Sequence, residues 1–342
     1  MEFEMKKYNS YEYVLEVMKK TEPRLRYNEK MDFSEWQKEA KKKMNELLGL
    51  PLELCDDEFV ILQKKSRDGF EQIDFEFQSE TNYFVKGSFL KPDTVNSPNP
   101  TMICLQGHSS GMHISLGEPI FKGDGQDIAG GRDFAVRAVK EGFCAVAIDQ
   151  RYMGATGQSE KGHTECYTSY KAMPTLLLGR SAVGERVWDV QRLIDVLTKH
   201  FAEFVDVENI LCMGNSGGGT TTFYASCVDD RISMAVPSCA VCSYDLSIMA
   251  MSHCNCNYIP GIRNCFDMGD IGMLIAPRKL LVVCGKDDPI FPLDGVKESF
   301  ERIETAYSYM NEKDKCQMVI GNGGHQFYPD NAWPIIHSMI GK

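Results

Sequence analysis

Apolar and polar residues alternate with a period of two over three early segments of the chain. This alternation predicts antiparallel strands at 59–65, 71–78 and 83–90. From residue 101 onward the pattern changes to short apolar runs separated by amphipathic segments. The short apolar runs predict strands buried on both faces, at 102–105, 143–148, 210–213, 232–236, 279–284 and 316–320. The amphipathic segments predict helices at 134–140, 181–200, 217–227 and 293–310.

Strands that alternate with helices predict the α/β class of fold. We expect a mainly parallel central sheet with helices on both faces, preceded by the antiparallel N-terminal strands. Reactive groups in such sheets gather at the carboxyl ends of the strands. Residues 238–277 do not alternate cleanly, and we interpret them as an irregular excursion near the site.

The first 55 residues have a helical pattern. One helix is predicted from Asp32 or Ser34, either of which can cap it, to a Gly-Leu-Pro stop at 49–51. These residues contain too few apolar side chains for a core of their own. We therefore predict a helical extension over 1–55, packed on a single catalytic domain over 56–342.

Composition and charge narrow the class of protein. The chain is 43% hydrophobic and 25% charged, as in ordinary globular proteins. Its net charge of -11, without a basic stripe, argues against nucleic-acid binding. It shows neither an apolar secretion signal nor the roughly 18 consecutive apolar residues of a membrane span. Its 13 cysteines are scattered through predicted core elements, which favours reduced thiols and a cytoplasmic protein without membrane contacts.

The most specific motif is Gly-Asn-Ser-Gly-Gly at 214–218, directly after the predicted strand 210–213. A strand, then Gly-x-Ser-x-Gly, then a helix is the layout of a nucleophile elbow. The sharp turn presents the hydroxyl of Ser216 at the edge of the sheet, beside the positive end of the following helix. The alternative, that Ser216 merely caps its helix, is weaker in this context.

An acid and a histidine follow Ser216 in the order that serine hydrolases of this layout require. Asp287 and Asp288 leave the predicted strand 279–284, and His325 lies on a glycine-rich loop after the last strand. We favour Asp288 as the acid because Pro289 directly follows it and fixes the turn. The other six histidines lie in helices or loops that fit this role less well.

The oxyanion of the reaction needs backbone N–H donors that are fixed in advance. We assign one to Gly217, the residue after the nucleophile, and the other to His108, on the loop 106–111 after the first core strand. The alternative is a plain glycine-containing loop without a catalytic part.

Two further groups of residues are capable of chemistry. Cys254 and Cys256 with the neighbouring His253 match poorly the regular spacing of a zinc site, so we predict no metal. We expect His253 instead to line or cover the pocket, together with Met249, Met251 and Tyr258.

The second group consists of charged residues around the loop 152–180. They are Arg151, Arg180, Glu185, Arg186 and Asp189. Our first interpretation is that they form structural ion pairs, and the alternative is that an arginine among them recognises a substrate carboxylate.

Several motifs together resemble a known family. They are the elbow, extended to Gly-Asn-Ser-Gly-Gly-Gly at 214–219, Asp-Gln-Arg at 149–151, Leu-Leu-Gly-Arg at 177–180, Gly-Glu-Arg at 184–186, Tyr-Ile-Pro-Gly at 258–261 and Ala-Pro-Arg at 276–278. From about residue 30 to its end, the chain resembles the acetyl-xylan-esterase-like branch of the α/β-hydrolases, near the dienelactone-hydrolase type. The resemblance implies a serine esterase for acetyl or other short acyl esters, including those of carbohydrates. Dienelactone hydrolases carry cysteine where this chain has Ser216, so their substrate is not implied.

We therefore expect an enzyme that cleaves a small-molecule carboxylic ester through an acyl-enzyme on Ser216, without a cofactor. Activity should decline as pH falls through roughly 6 to 7, because base catalysis needs a neutral imidazole on His325. An amidase or peptidase with the same triad, and a catalytically silent ligand-binding protein, are the alternatives. The N-terminal helices offer a surface for a homo-oligomer.

Overall fold

A computed structural model describes residues 9–157 and 171–341 of the protein. Nine strands within these residues form one sheet in the order β1-β2-β3-β5-β4-β6-β7-β8-β9. The strands are β1 (Val60–Arg67), β2 (Phe70–Glu80), β3 (Tyr83–Pro92), β4 (Asn99–Leu105), β5 (Cys144–Ile148), β6 (Val205–Asn215), β7 (Ile232–Ser238), β8 (Lys279–Gly285) and β9 (Cys316–Gly321).

The α-helices of the described residues precede, connect and follow these strands. They are α1 (Ser10–Lys20), α2 (Phe33–Leu48), α3 (Asp124–Asp127), α4 (Phe134–Lys140), α5 (Pro174–Leu177), α6 (Ala182–His200), α7 (Gly217–Val228), α8 (Met268–Gly272), α9 (Leu293–Tyr309) and α10 (Pro329–Ile340). No helix in this part of the chain combines the length and apolar character needed to cross a membrane.

The sheet combines the two predicted patterns. β1, β2 and β3 pair antiparallel, and β3 joins the rest of the sheet through an antiparallel contact with β5. From β5 to β9 every neighbouring pair of strands is parallel. The predicted α/β class and its antiparallel N-terminal strands are confirmed.

The two faces of the sheet carry separate apolar clusters. Helices α2, α6, α7, α8 and α9 contribute to the larger cluster, and α4 and α10 contribute to the other. Apolar side chains of successive strand residues enter opposite clusters, as Met102 and Ile103 of β4 do. The arrangement explains why the parallel strands have unbroken apolar runs.

Helix α2 is tied to the larger cluster at several points. Phe33, Trp36 and Met44 are buried in that cluster. Gln37 Nε2 donates a hydrogen bond of 2.7 Å to the backbone oxygen of Ala276. The contacts hold the helix on the face of the sheet, whereas the predicted boundary at residue 55 stays a prediction.

The excursion after β7 contains more regular structure than its sequence pattern indicated. Helix α8 begins at a capping box. The side chain of Asp267 accepts a hydrogen bond from the backbone N–H of Asp270, and the side chain of Asp270 accepts one from the backbone N–H of Asp267. A 3₁₀ turn over Asn255–Asn257 precedes it. Both elements are shorter than two turns of helix, so no apolar repeat could predict them.

Candidate active site

Ser216 occupies the sharp turn between β6 and α7. Its backbone has φ 56° and ψ -123°, a conformation that residues with side chains rarely adopt. The turn packs closely against the neighbouring strand, since a Cβ on Gly218 would lie only 2.1 Å from the Leu105 backbone oxygen. Glycine at 218 therefore allows α7 to start against the end of β4. The side chain of Ser216 is half-buried at the carboxyl edge of the sheet.

Asp288 and His325 meet at the same edge, after β8 and β9. His325 Nδ1 lies 2.8 Å from Asp288 Oδ2. The other carboxylate oxygen, Oδ1, accepts hydrogen bonds of 3.0 Å from the N–H groups of Ile290 and Phe291. Burial alone would raise the pKa of Asp288, but these hydrogen bonds and the charge of His325 lower it below its ordinary value. Asp288 is thus held as a carboxylate, while Asp287 is exposed.

The second nitrogen of His325 is available for chemistry. Its Nε2 atom is buried and has no hydrogen-bond partner in the described part of the chain. The ring of Phe291 stacks on the imidazole at a centroid distance of 5.8 Å, and His253 packs edge-on against Phe291 at 5.3 Å. Stacking fixes the plane of the imidazole, and the bond to Asp288 fixes its rotation.

Ser216 is linked to this pair through the end of β7. The Ser216 N–H donates a 2.9 Å hydrogen bond to the Ser238 oxygen, and the next residue, Cys239, donates its N–H to Val283 at 2.8 Å. Cys239 Sγ lies within 4.8 Å of ligand atoms of both Asp288 and His325. The structure thus places Ser216 at the end of β6 and the Asp288–His325 pair at the ends of β8 and β9, with β7 between them in the sheet. It shows no hydrogen bond between Ser216 Oγ and His325 Nε2 in the described residues.

Sequence reasoning missed Cys239. Its thiol is buried, and burial together with the nearby charge of Asp288 raises its pKa to about 12, so it stays protonated. Its backbone has a positive φ of 49°. No motif marks the position, and its approach to Asp288 depends on the pairing of β7 with β8.

The predicted oxyanion loop lies against the nucleophile. A Cβ on Gly107 would be 2.7 Å from the Asn215 oxygen and 3.1 Å from Ser216 Cβ, so the loop touches the elbow. Asp149 Oδ1 accepts a 2.9 Å hydrogen bond from the N–H of Met112 and fixes the end of the loop. Gly217 and His108 are thereby on adjoining segments beside Ser216, and their role as donors stays a prediction.

The oxyanion loop is further held by a buried polar cluster. Ser110 Oγ lies 2.5 Å from Asp124 Oδ1 and 3.0 Å from His113 Nε2. The same His113 nitrogen is 2.8 Å from Asp124 Oδ2. Because one ring nitrogen contacts both partners, this cluster lacks the relay geometry of a second catalytic triad. Its hydrogen bonds support the loop.

The predicted ion pairs form a buried network beside β2. Arg151 binds Asp189 at 2.8 Å and Glu80 at 2.5 Å. Arg180 binds the same Glu80 at 2.6 Å and Glu185 at 2.7 Å. Such pairing satisfies charges that burial would otherwise destabilise, in line with the structural interpretation.

Arg186 belongs to the same predicted group, but it does not fit the interpretation of that group as structural ion pairs. It is buried and donates its Nε–H to the Arg151 backbone oxygen at 2.8 Å. Its two terminal nitrogens have no hydrogen-bond partner in the described residues. The hydrogen bond with Cys254, and after it the charge of Arg186, lower the pKa of the Cys256 thiol.

The thiols of Cys254 and Cys256 meet a different histidine from the one adjacent in sequence. Cys256 Sγ lies 3.6 Å from His108 Nε2. His253 Nε2 is 3.2 Å from Ser247 Oγ instead. The conformation of the loops brings His108 and Cys256 together although they are 148 positions apart in the chain. The local spacing of Cys and His residues could not predict this contact.

Three residues predicted to line the pocket of the site surround a cavity whose lining includes none of Ser216, Asp288 and His325. The cavity, of about 820 Å³, is lined by Met249, Met251 and Tyr258 together with Tyr11 from α1. His253 is absent from its walls and packs on Phe291. Tyr11 Oη donates a 2.9 Å hydrogen bond to the Met249 oxygen, so α1 closes one side of the cavity.

The family of the chain follows from a match over most of its length. A family model described as "Abhydrolase family" matches residues 4–319. The chain belongs to the Abhydrolase family. The match confirms the sequence-based resemblance to α/β-hydrolases.

Several known proteins are similar to this member of the Abhydrolase family. YtaP of Bacillus subtilis (strain 168), to which a hydrolase activity is attributed, is 25% identical over 240 residues, which are 69% of this chain and 76% of YtaP. The structure of a Bacteroides fragilis protein to which acetyl xylan esterase activity is attributed has a TM-score of 0.85, with 19% identity, 98% of this chain covered and 95% of the other. A glucuronoyl esterase from Solibacter usitatus has a TM-score of 0.68, with 14% identity and coverage of 93% and 96%. At these identities the structural likenesses show the fold.

Proposed function

We propose that the protein is a serine esterase in which Ser216, His325 and Asp288 form the catalytic triad. The observation that carries this proposal is the 2.8 Å hydrogen bond between Asp288 and His325, beside a strained serine elbow. A carboxylate on Nδ1 keeps the proton on that nitrogen and leaves Nε2 free to accept one from a serine hydroxyl.

The reaction takes place in two halves. His325 Nε2 accepts the proton of Ser216 as its Oγ attacks the ester carbonyl, and Asp288 stabilises the charged imidazole. The N–H groups of Gly217 and His108 stabilise the oxyanion. His325 then protonates the leaving alcohol, and a water molecule, activated by the same imidazole, releases the acid from Ser216.

The substrate class we propose is a short-chain acyl ester, with acetylated carbohydrates as the first candidates. Support comes from the names of two proteins of the same fold, the acetyl xylan esterase of Bacteroides fragilis and the glucuronoyl esterase of Solibacter usitatus. Both names describe cleavage of an ester that involves a sugar unit.

Hydrolysis of p-nitrophenyl acetate, butyrate and octanoate tests the proposal and gives the acyl preference. Ser216→Ala should lower kcat by about 10⁶-fold, as loss of the nucleophile does in a serine triad. Ser226→Ala is the matched control, because this serine lies on the same helix α7 with a buried hydroxyl that has no hydrogen-bond partner in the described residues. Equal turnover by wild type and Ser216→Ala would refute the proposal.

Two further measurements separate the alternatives. Faster cleavage of aminoacyl p-nitroanilides than of acetyl esters, by the same preparation, would indicate an amidase or peptidase. A fluorophosphonate probe should label Ser216 in wild type, because its oxygen is activated by the adjacent base. Absence of labelling together with absence of hydrolysis would indicate a binding protein.

A further inference from the structure

A cluster of two thiols and an imidazole lies beside the elbow, outside the proposed triad. Cys254 and Cys256 have their sulfur atoms 3.1 Å apart, and Cys256 Sγ is 3.6 Å from His108 Nε2. All three ligand atoms lie within 4.8 Å of one another. Cys256 is buried, and the other two side chains are half-buried. The residues come from two loops that are distant in sequence.

Both loops are fixed to the helix that follows Ser216. The 3₁₀ turn Asn255–Asn257 is anchored where Thr220 Oγ1 donates a 3.3 Å hydrogen bond to Asn257 Oδ1. On the other side, the ring of His108 packs against the start of α7, where a Cβ on Gly217 would lie 2.8 Å from His108 Cε1. The three side chains are therefore placed in advance.

Helix α6, which carries Arg186, also packs against the turn Asn255–Asn257. Arg186 is itself buried, with terminal nitrogens that have no hydrogen-bond partner in the described residues. Thiolates are the form of cysteine that binds metal ions.

We propose that His108, Cys254 and Cys256 form a binding site for a thiophilic divalent cation such as Zn²⁺. Bond lengths of about 2.3 Å to sulfur and 2.0–2.1 Å to nitrogen place tetrahedral ligands roughly 3.8 Å apart for S···S and 3.5 Å for S···N. The observed separations are 3.1 Å and 3.6 Å, so a small widening of the thiol pair admits the ion. Binding releases the remaining thiol protons to solvent.

The donor set also defines what the site can do. Two thiolates and one imidazole leave a fourth position open on a tetrahedral ion, which water or a substrate oxygen can occupy. The bound ion would join the oxyanion loop to the turn 255–257, across the start of α7. We expect such a cross-link to raise the melting temperature of the protein, because the ion binds the folded form.

Cobalt(II) is the probe for this site, since thiolate ligation gives it a charge-transfer absorption that Zn²⁺ lacks. The reduced, chelator-treated full chain should bind one Co²⁺ with this absorption, and Zn²⁺ should abolish it by displacement. Cys254→Ser and Cys256→Ser should each lose the absorption. Cys55→Ser is the matched control, because Cys55 is a half-buried cysteine whose sulfur contacts only the Gln78 oxygen at 4.0 Å among the hydrogen bonds described. The readout does not depend on esterase activity.

A second measurement covers the case in which a variant fails to fold. Alkylation of the wild-type protein by iodoacetamide, followed by peptide mapping, should show protection of the half-buried Cys254 by Zn²⁺ and unchanged labelling of Cys55. Absence of the cobalt–thiolate absorption in wild type would overturn the proposal. So would a disulfide between Cys254 and Cys256 that persists under reducing conditions, or protection of other cysteines instead.

Discussion

At the scale of single residues, the chemistry proposed for the site depends on the contact between Asp288 and His325, whose Oδ2 and Nδ1 atoms are 2.8 Å apart. Ser216, Asp288 and His325 follow a motif and a chain order, and the structure brings the last two into direct contact. Phe291 and Cys239 could not be found in this way, because their roles depend on ring stacking and strand pairing. The contact between His108 and Cys256 likewise depends on loop conformation. His253, which is adjacent to Cys254 in sequence, instead contacts Ser247.

The two neighbouring aspartates allow a sharp test at this scale. Asp288→Asn should lower kcat for p-nitrophenyl acetate by about 10³- to 10⁴-fold, because an amide favours the wrong imidazole tautomer. Asp287→Asn should leave kcat unchanged, since Asp287 is exposed. Steady-state kinetics of both variants check the assignment. A large loss in Asp287→Asn with a normal Asp288→Asn would exchange their roles.

At the scale of elements, the apolar pattern and the capping signals predicted every strand of the sheet and the helices α2, α4, α6, α7 and α9. They missed α3, α5 and α8, which have four or five residues each and cannot show a helical repeat. The start of α2 was left open between two capping residues. The structure resolves it, since Asp32 Oδ1 accepts a 2.9 Å hydrogen bond from the Glu35 N–H and the helix begins at Phe33.

The cap of α2 gives a prediction about stability. Asp32→Ala should lower the free energy of unfolding by about 1 kcal/mol, because it removes the acceptor for a helix N–H and a negative charge at the helix start. Ser34→Ala, two residues further on and exposed, should change it by less than about 0.5 kcal/mol. Urea denaturation at pH 7 measures both. A larger effect of Ser34→Ala would place the cap at Ser34.

At the scale of the whole molecule, the sheet order brings the ends of β6, β7, β8 and β9 side by side. The mainly parallel sheet could be predicted from the alternation of strands and helices, whereas the strand order could not. In the buried network of Arg151, Glu80 and Asp189, the sequence pointed to Arg151 and Asp189 as charges and missed Glu80. The network joins β2, the segment after β5 and α6, which are far apart in the chain.

Carboxyl groups throughout the molecule predict how stability depends on pH. Burial raises the pKa of several carboxyls, but hydrogen bonds and neighbouring cations outweigh it and lower their pKa below the ordinary 3.8 for Asp or 4.5 for Glu. A lowered pKa stabilises the folded state above the ordinary value, and the contribution is lost as pH falls through the folded value. These groups are Asp57, Asp74, Glu80, Asp124, Glu141 and Asp288.

Two buried carboxyls oppose this effect. Burial raises the pKa of Asp189 and Asp267, so their protonation favours the folded state as pH falls toward 3.8. Because six groups outnumber these two, we expect the urea midpoint to decrease as pH falls below about 4. Denaturation at pH 7, 5, 4 and 3 measures it, and a midpoint that stays constant or rises between pH 5 and pH 3 would contradict the prediction.

The positive φ of Ser216 has a consequence for how the protein can change in evolution. A backbone held in such a conformation costs roughly 1–3 kcal/mol, and glycine adopts it with little strain. Replacement of Ser216 by glycine would relax the turn while removing the reactive oxygen. Inactivation by this replacement therefore relieves backbone strain, which offsets part of the entropy that glycine loses on folding, so a relative without the nucleophile could persist as a well-folded protein and acquire a new role.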